Sequence, residues 1–315
     1  MLKRRLILAV SLMLWLHAPA GAQPASANAA SAIAVVYPDL GEPFRLVFAK
    51  IIDGIESGLG ARVRSLAVGS GTDADKLAEQ LRSNKVRVVI ALGRQGVLTM
   101  SSLQSQFSVI VGGVLLQEAE QRELSGTSYT PDPALLFAQL RRVRPGARRV
   151  MVVYNPAINE WLVRLAREAA KVQGLDLVAH EAPDTASAAR LYESLIASAD
   201  AKRDALWLPY DPTTVEESTI LPLVLRESWD RSLPVFSSSF FHVKRGALFV
   251  LYPNNEQHGR GLAAMALRAL AGDVPRGVTA LREVSAAINT RTASHLGLHL
   301  SADLLRGFDA VIPEN

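Results

Sequence analysis

A few short turns carry the residues whose chemistry suits recognition of a small polar molecule. Gly93-Arg94-Gln95-Gly96 follows the apolar run Val86–Leu92. Its glycines let an anionic group approach the backbone, and Arg94 offers a two-pronged contact to a carboxylate. The alternative is a plain strand-to-helix turn with Arg94 in solvent. Tyr154-Asn155-Pro156 follows Val150–Val153. A tyrosine face stacks on a ring, and an Asn amide both donates and accepts; otherwise Asn155 caps the next helix. Asp211, in Pro209-Tyr210-Asp211-Pro212, either pairs with an ammonium or caps a helix that opens at Pro212. Ser237 and Ser238 end another apolar run and either donate hydroxyls or form a polar loop. Tyr37 and Asp39 follow the first run, Ala32–Val36, and complete the set.

Catalytic constellations are absent. The chain has no P-loop, no G-x-G-x-x-G after its first strand, no nucleophile elbow and no H-E-x-x-H. Gly69-Ser70-Gly71 lacks the flanking spacing of an elbow. Of six histidines, His17 lies in the N-terminal export signal and the others are scattered; His295 and His299 are four apart, but no carboxylate completes a metal set. With no cysteine there is no disulfide, no thiolate nucleophile and no thiolate metal site. No cofactor is expected, and an enzyme is not.

The N-terminus reads as an export signal. Lys3, Arg4 and Arg5 precede the apolar stretch Leu6–Leu16, and Ala20-Gly21-Ala22 is a small-residue cleavage site. Residues 23–31, rich in Ala, Pro, Ser and Asn, are expected to be a disordered leader. Without the three basic residues of the signal the 34 Lys and Arg fall to 31, against 30 Asp and Glu. The mature chain is near neutral and lacks a basic patch with interleaved aromatics, so no nucleic-acid partner is expected. No Cys follows the signal, which excludes a lipoprotein anchor, and no second long apolar run exists. A soluble periplasmic protein, acting as a monomer, is the expectation.

The elements that position these turns alternate. Ala32–Tyr37, Val63–Val68, Val86–Leu92 and Phe107–Val111 read as strands. Phe44–Gly58, a stretch after Thr72 (its N-cap candidate) and Val97–Gln104 read as helices between them. From Leu135 the pattern resumes: strands at Val150–Tyr154, Asp176–Ala182, Ala205–Leu208, Pro234–Ser237 and Gly246–Tyr252, with helices at Asn159–Gln173, Thr185–Ser198, near Glu216–Trp229, and Gln257–Ala271. Leu281–Asn289 reads as one more strand. Trp161, Trp207 and Trp229 read as packing residues. Such alternation predicts parallel sheets covered by helices, in two α/β lobes with a cleft at the strand C-termini.

Several blocks, in order, carry a family resemblance: Gly126–Tyr129, Leu140–Pro156 (with Pro145-Gly-Ala-Arg-Arg-Val-Met-Val-Val-Tyr-Asn-Pro156), Asp204–Pro212, Leu233–Ser237, Val243–Phe249, Gly259–Gly272 and Ile288–Leu298. Together they resemble the ABC transporter substrate-binding family that includes tryptophan and other aromatic amino-acid binding proteins. The resemblance runs from about Ile33 to Ile312. It departs from the family's pattern at Gly93-Arg94-Gln95-Gly96, where members often carry Gly-Thr-x-Ala, and at Asp211-Pro212, where amino-acid binders often have Asp-Asn. The resemblance implies a type I periplasmic binding fold: two Rossmann-like lobes with parallel sheets, joined by crossover strands. It divides the chain into a signal (1–22), a leader (23–31), a first lobe (32–127 and about 253–280), a second lobe (128–252) and a C-terminal crossover and tail (281–315). It also implies a small-molecule ligand, aromatic or carboxylate-bearing, and an inner-membrane ABC permease as partner. A sensing subunit for a membrane signalling protein is the alternative, and a secreted α/β enzyme a more distant one.

Overall fold

The computed structural model describes residues 29–116, 120, 123–274 and 276–313. The expected signal, 1–22, and most of the leader lie outside the described residues. Ser31 and its two predecessors form a helical turn, with Ala30 buried at 2% exposure, so the leader expectation gives way to packed structure there.

The first lobe begins as alternating strands and helices: β1 (Ile33–Pro38), α1 (Phe44–Leu59), β2 (Arg64–Val68), α2 (Ala74–Ser83), β3 (Val88–Leu92), α3 (Gly93–Ser101), β4 (Ser108–Gly112) and β5 (Gly126–Pro131). The second contains α4 (Pro133–Val143), β6 (Arg149–Tyr154), α5 (Pro156–Gln173), β7 (Asp176–Glu181), α6 (Thr185–Ser198), β8 (Asp204–Leu208), α7 (Ile220–Asp230), β9 (Val235–Ser237), α8 (Phe240–Arg245) and β10 (Phe249–Pro253). The chain then yields α9 (Asn255–Leu270), β11 (Val278–Leu281), β12 (Val284–Asn289), α10 (Thr290–His295), α11 (Ala302–Leu305) and β13 (Ala310–Ile312).

Two sheets result. The first has the order β11-β5-β4-β3-β1-β2 and its pairs are parallel. The second has the order β13-β12-β10-β9-β8-β6-β7 and is parallel except where β12 runs against β10. Every residue of β3 and of β8 is buried, which is why β3 and, after Asp204, β8 read as apolar runs. Each sheet has a hydrophobic core on either face. Trp207 and Trp161 belong to one of them; Trp229 is 43% exposed and stacks on His295.

The chain passes between the lobes three times, at Pro131–Pro133, Pro253–Asn255 and Leu281–Val284. These passages are tied to each other. Asp132 N–H donates to Leu281 O (2.8 Å), Asn254 N–H donates to Glu283 O (3.0 Å), and Arg282 pairs with Asp132 (2.5 Å). After the second passage α9 docks on α1 through glycines. A Cβ at Gly259 would stand 2.0 Å from Ile51 O, and one at Gly54 would stand 2.1 Å from Glu256 O. The helices therefore touch backbone to backbone.

Several local expectations change. Asp73, not Thr72, caps α2, accepting from the N–H groups of Asp75 and Lys76; the Thr72 hydroxyl instead accepts from Gly69 N–H. The stretch 281–289 is two strands in different sheets, because Arg282 and Glu283 form the third passage. The first sheet runs on to Pro131, past the boundary expected at 127. The helix after β3 starts at Gly93 rather than Val97, and α8 was not foreseen.

Candidate functional site

A cavity of about 750 Å³ lies between the lobes, at the strand C-termini and beside the first two passages. The first lobe supplies Lys50 and Asp53 from α1, Leu115 after β4, and Tyr129 near the end of β5. The second supplies Tyr210, two residues past β8, then Ser238 and Ser239 past β9, and Phe240 at the start of α8. Tyr252 is the penultimate residue of β10, and Asn254, Asn255 and Glu256 open α9 behind it. Parallel strands put their loops at one end, so residues distant in sequence converge there.

Four aromatic rings line this space. Phe240 and Tyr252 form a tilted pair with centroids 4.8 Å apart. The Tyr129 hydroxyl donates to Asn255 Oδ1, and burial pushes its pKa up to about 12. Asn254 is spent on structure: its Oδ1 accepts from Gln257 N–H (3.1 Å) and its amide donates to Ser285 Oγ (3.2 Å). Ser238 is 6% exposed and its hydroxyl has no partner among the described residues, although the residue lines the cavity. A buried hydroxyl without a partner costs about 1–3 kcal/mol, so it is a natural place for a ligand or water to bond. Behind this wall His258 is buried and its Nε2 accepts from Gly113 N–H (3.0 Å), with burial pushing its pKa down to about 4. A recess of about 260 Å³, sharing Tyr210 and Ser239 with the main cavity, reaches Asp211 and His242.

Of the residues singled out from sequence, Ser238 lines the main cavity. The Gly93–Gly96 turn does not. Gly93 has φ +65°, and its missing Cβ makes room for Phe48 and Pro38; Gly96 lets α3 approach Val36 O. Arg94 turns away to Glu120 and donates to Leu115 O (2.6 Å). Gln95 donates to Gly69 O and to Thr99 Oγ1, both at 3.3 Å. Tyr37 is half-buried in the first-lobe core, and Asp39 is exposed with its N–H donating to Val68 O (2.9 Å).

The second-lobe set forms a network of its own. Tyr154 is 1% exposed, so neither ring face is open to a ligand; its hydroxyl donates to Glu160 (2.7 Å), and burial and that carboxylate raise its pKa. Asn155 caps α5, accepting from Ala157 N–H (3.0 Å). Asp211 is 2% exposed and accepts four bonds: from the N–H groups of Asn155 (2.7 Å), Thr213 (3.0 Å) and Thr214 (3.0 Å), and from the Asn159 amide (3.0 Å). For Asn155 the capping alternative is the geometry observed; Asp211 instead closes the turn over 212–214, and no helix opens at Pro212. Ser237 is fully buried, 2.7 Å from His242 Nδ1.

Sequence reasoning missed Lys50, Asp53, Tyr129, Phe240, Tyr252 and Asn255, and passed over Tyr210 beside Asp211. Tyr252-Pro253-Asn254 carries the same three residue types as Tyr154-Asn155-Pro156, in another order, at a strand end and offered a signal. Lys50 and Asp53 offered none beyond being polar positions on an apolar helix.

Comparisons with known proteins agree with this architecture. A family profile described as ABC transporter substrate binding protein matches residues 54–312. Comparison with curated proteins gives no match. Among solved structures, a substrate binding protein with adhesive properties from Clostridium difficile, ligand-free and open, is 19% identical with a TM-score of 0.63, over 89% of this chain and 98% of that one. An ABC domain in complex with L-Trp from Streptococcus pneumonia is also 19% identical, with a TM-score of 0.55, over 89% and 100%. A conserved domain protein from Vibrio cholerae is again 19% identical, with a TM-score of 0.54, over 89% and 99%. At such identity these likenesses speak for the fold, two Rossmann-like lobes of the type I periplasmic binding kind. With the profile spanning most of the chain, and with two parallel-sheet lobes joined by three passages around one cleft, the protein is a member of the ABC transporter substrate binding protein family.

Proposed function

We propose that this protein captures a small solute between its lobes and delivers it to an ABC importer of the inner membrane, without transforming it. The observation that carries the reading is the cavity of about 750 Å³ bounded by both lobes and by the first two passages. Its size suits a small molecule, and its walls belong to parts that can move relative to each other. A ligand that touches both lobes shifts the balance toward a closed form, to the extent that it binds that form more tightly. The closed form is what the importer reads. The four aromatic rings favour a ligand with a flat or apolar portion, and the L-Trp complex of the streptococcal relative makes L-tryptophan a sensible first probe. The protein works in the periplasm as a monomer after loss of residues 1–22. No helix among the described residues is long and apolar enough to cross a membrane.

A thermal-shift screen of the protein against amino acids, aromatic acids and amines, nucleosides and sugars tests this. A ligand at about 100 times its Kd stabilises by roughly 2.7 kcal/mol. A hit that loses its effect when Tyr210 and Phe240 are replaced by Ala supports the cleft. A hit unaffected by both changes, or no hit from any class, overturns the assignment.

A further inference from the structure

The charges around the cleft are almost all engaged. Arg94 is held by Glu120 and Leu115 O. Glu256 pairs with Arg260 (2.5 Å), Arg282 with Asp132, and Asp211 is satisfied by four donors. Two charged side chains of the cavity wall stand apart. Lys50 and Asp53 are exposed, and neither has a hydrogen-bond or ion-pair partner among the described residues.

They sit three residues apart on α1, so they share a face of the helix. Unlike charges at that spacing often pair, but the acid-first order is the favourable one, and here the base comes first. The pair is therefore left to engage something else. Both face the space bounded by Tyr129, Tyr210, Phe240 and Tyr252. The Cβ atoms of such a pair stand roughly 5–6 Å apart. One small molecule with an anionic and a cationic group spans that gap, with its apolar portion against the rings.

We propose that Lys50 and Asp53 are the specificity pair of this cleft, Lys50 taking an anionic group and Asp53 a cationic group of the same zwitterionic ligand. The inference rests on the solute-binding reading above. It moves charge recognition from the Gly93–Gly96 turn and Asp211, where the sequence suggested it, to one face of α1. A neutral solute leaves both charges unused, and a simple acid or amine leaves one.

Calorimetry with a matched series tests the pair: L-phenylalanine (both charges), 3-phenylpropionate (anion alone) and phenethylamine (cation alone), with a neutral sugar set beside them. L-Phenylalanine is expected to bind wild type most tightly. Lys50→Gln should weaken L-phenylalanine and 3-phenylpropionate by roughly ten- to hundred-fold, the effect of losing a charge-assisted contact, and leave phenethylamine unchanged. Asp53→Asn should weaken L-phenylalanine and phenethylamine and spare 3-phenylpropionate. Both positions are exposed, so unchanged thermal midpoints of the unliganded variants show that folding is intact. Equal losses for every probe, or none for any, overturn the pair. Binding of a sugar with no binding of the charged series overturns the pair and leaves solute capture standing. Absence of binding by every probe overturns the pair, and it extends to solute capture only if the wider screen is also blank.

Discussion

Replacing Asp211 by Ala strips four donors of their acceptor at once. The Asn159 amide and the Thr214 N–H make bonds that are buried; those from Asn155 and Thr213 are partly buried. Water entering from the adjoining recess can re-satisfy the latter two at little cost. The former two bonds are buried, and each unsatisfied buried donor costs about 1–3 kcal/mol. The change therefore destabilises by ~4 kcal/mol, a large share of the roughly 5–15 kcal/mol that holds a typical domain folded. At about 2–4 °C per kcal/mol, the midpoint falls by roughly 8–16 °C. Asp211→Asn fares little better, because its NH₂ is turned against two N–H groups. Scanning calorimetry of the unliganded protein is the assay. A midpoint within about 2 °C of wild type for both variants refutes the account, and would return Asp211 to the role of a ligand contact.

Gly259→Ala drives a Cβ against Ile51 O and should cost about 3 kcal/mol or more, whereas Gly261→Ala, meeting only the mobile Glu283 carboxylate at 3.1 Å, should be tolerated; urea unfolding of the two compares them directly. Burial holds His258 neutral, with its pKa pushed down from 6.5 to about 4, so the unfolded chain binds more protons between those values. The stability from keeping it neutral is full above about pH 6.5 and is lost as pH falls toward 4; thermal midpoints from pH 7 to 5 should drop more in wild type than in His258→Gln, and parallel slopes would contradict this. Arg94→Ala removes a half-exposed pair worth about 0–1 kcal/mol and should leave ligand affinity unchanged, as titration with the best screening hit can check.

What the sequence made legible follows from burial. β3 and β8 sit between two helical layers, so their apolar runs stand out. Gly174 marks the end of α5 in the left-handed conformation its position suggests, whereas α1 runs one residue past the expected Gly58 to Leu59 before Gly60 closes it. The site was harder to read. Asp211 and Asn155 do lie at strand ends, but a carboxylate beside a strand end can face a ligand or the backbone, and residue type does not distinguish the two. Arg94 found its partner in Glu120, 26 positions on, which no local pattern announces. The third passage escaped notice because Arg282 and Glu283 carry no glycine or proline to interrupt the strand pattern. Lys50 and Asp53 became visible only once α9 covered the opposite side of α1.

The three passages also make neither lobe a continuous piece of chain. α1 buries its glycine-lined face only when α9 arrives, some two hundred residues later, and β5 gains its outer neighbour only with β11. The second sheet likewise waits for β12 and β13. A growing chain that ends anywhere before Val278 therefore holds two unfinished sheets, not one finished lobe and one missing. Both halves depend on contacts of long sequence separation, which slows folding and leaves apolar surface uncovered meanwhile. Completion is shared: the last fifth of the protein closes both lobes in a single run, so binding competence arises late and all at once rather than lobe by lobe.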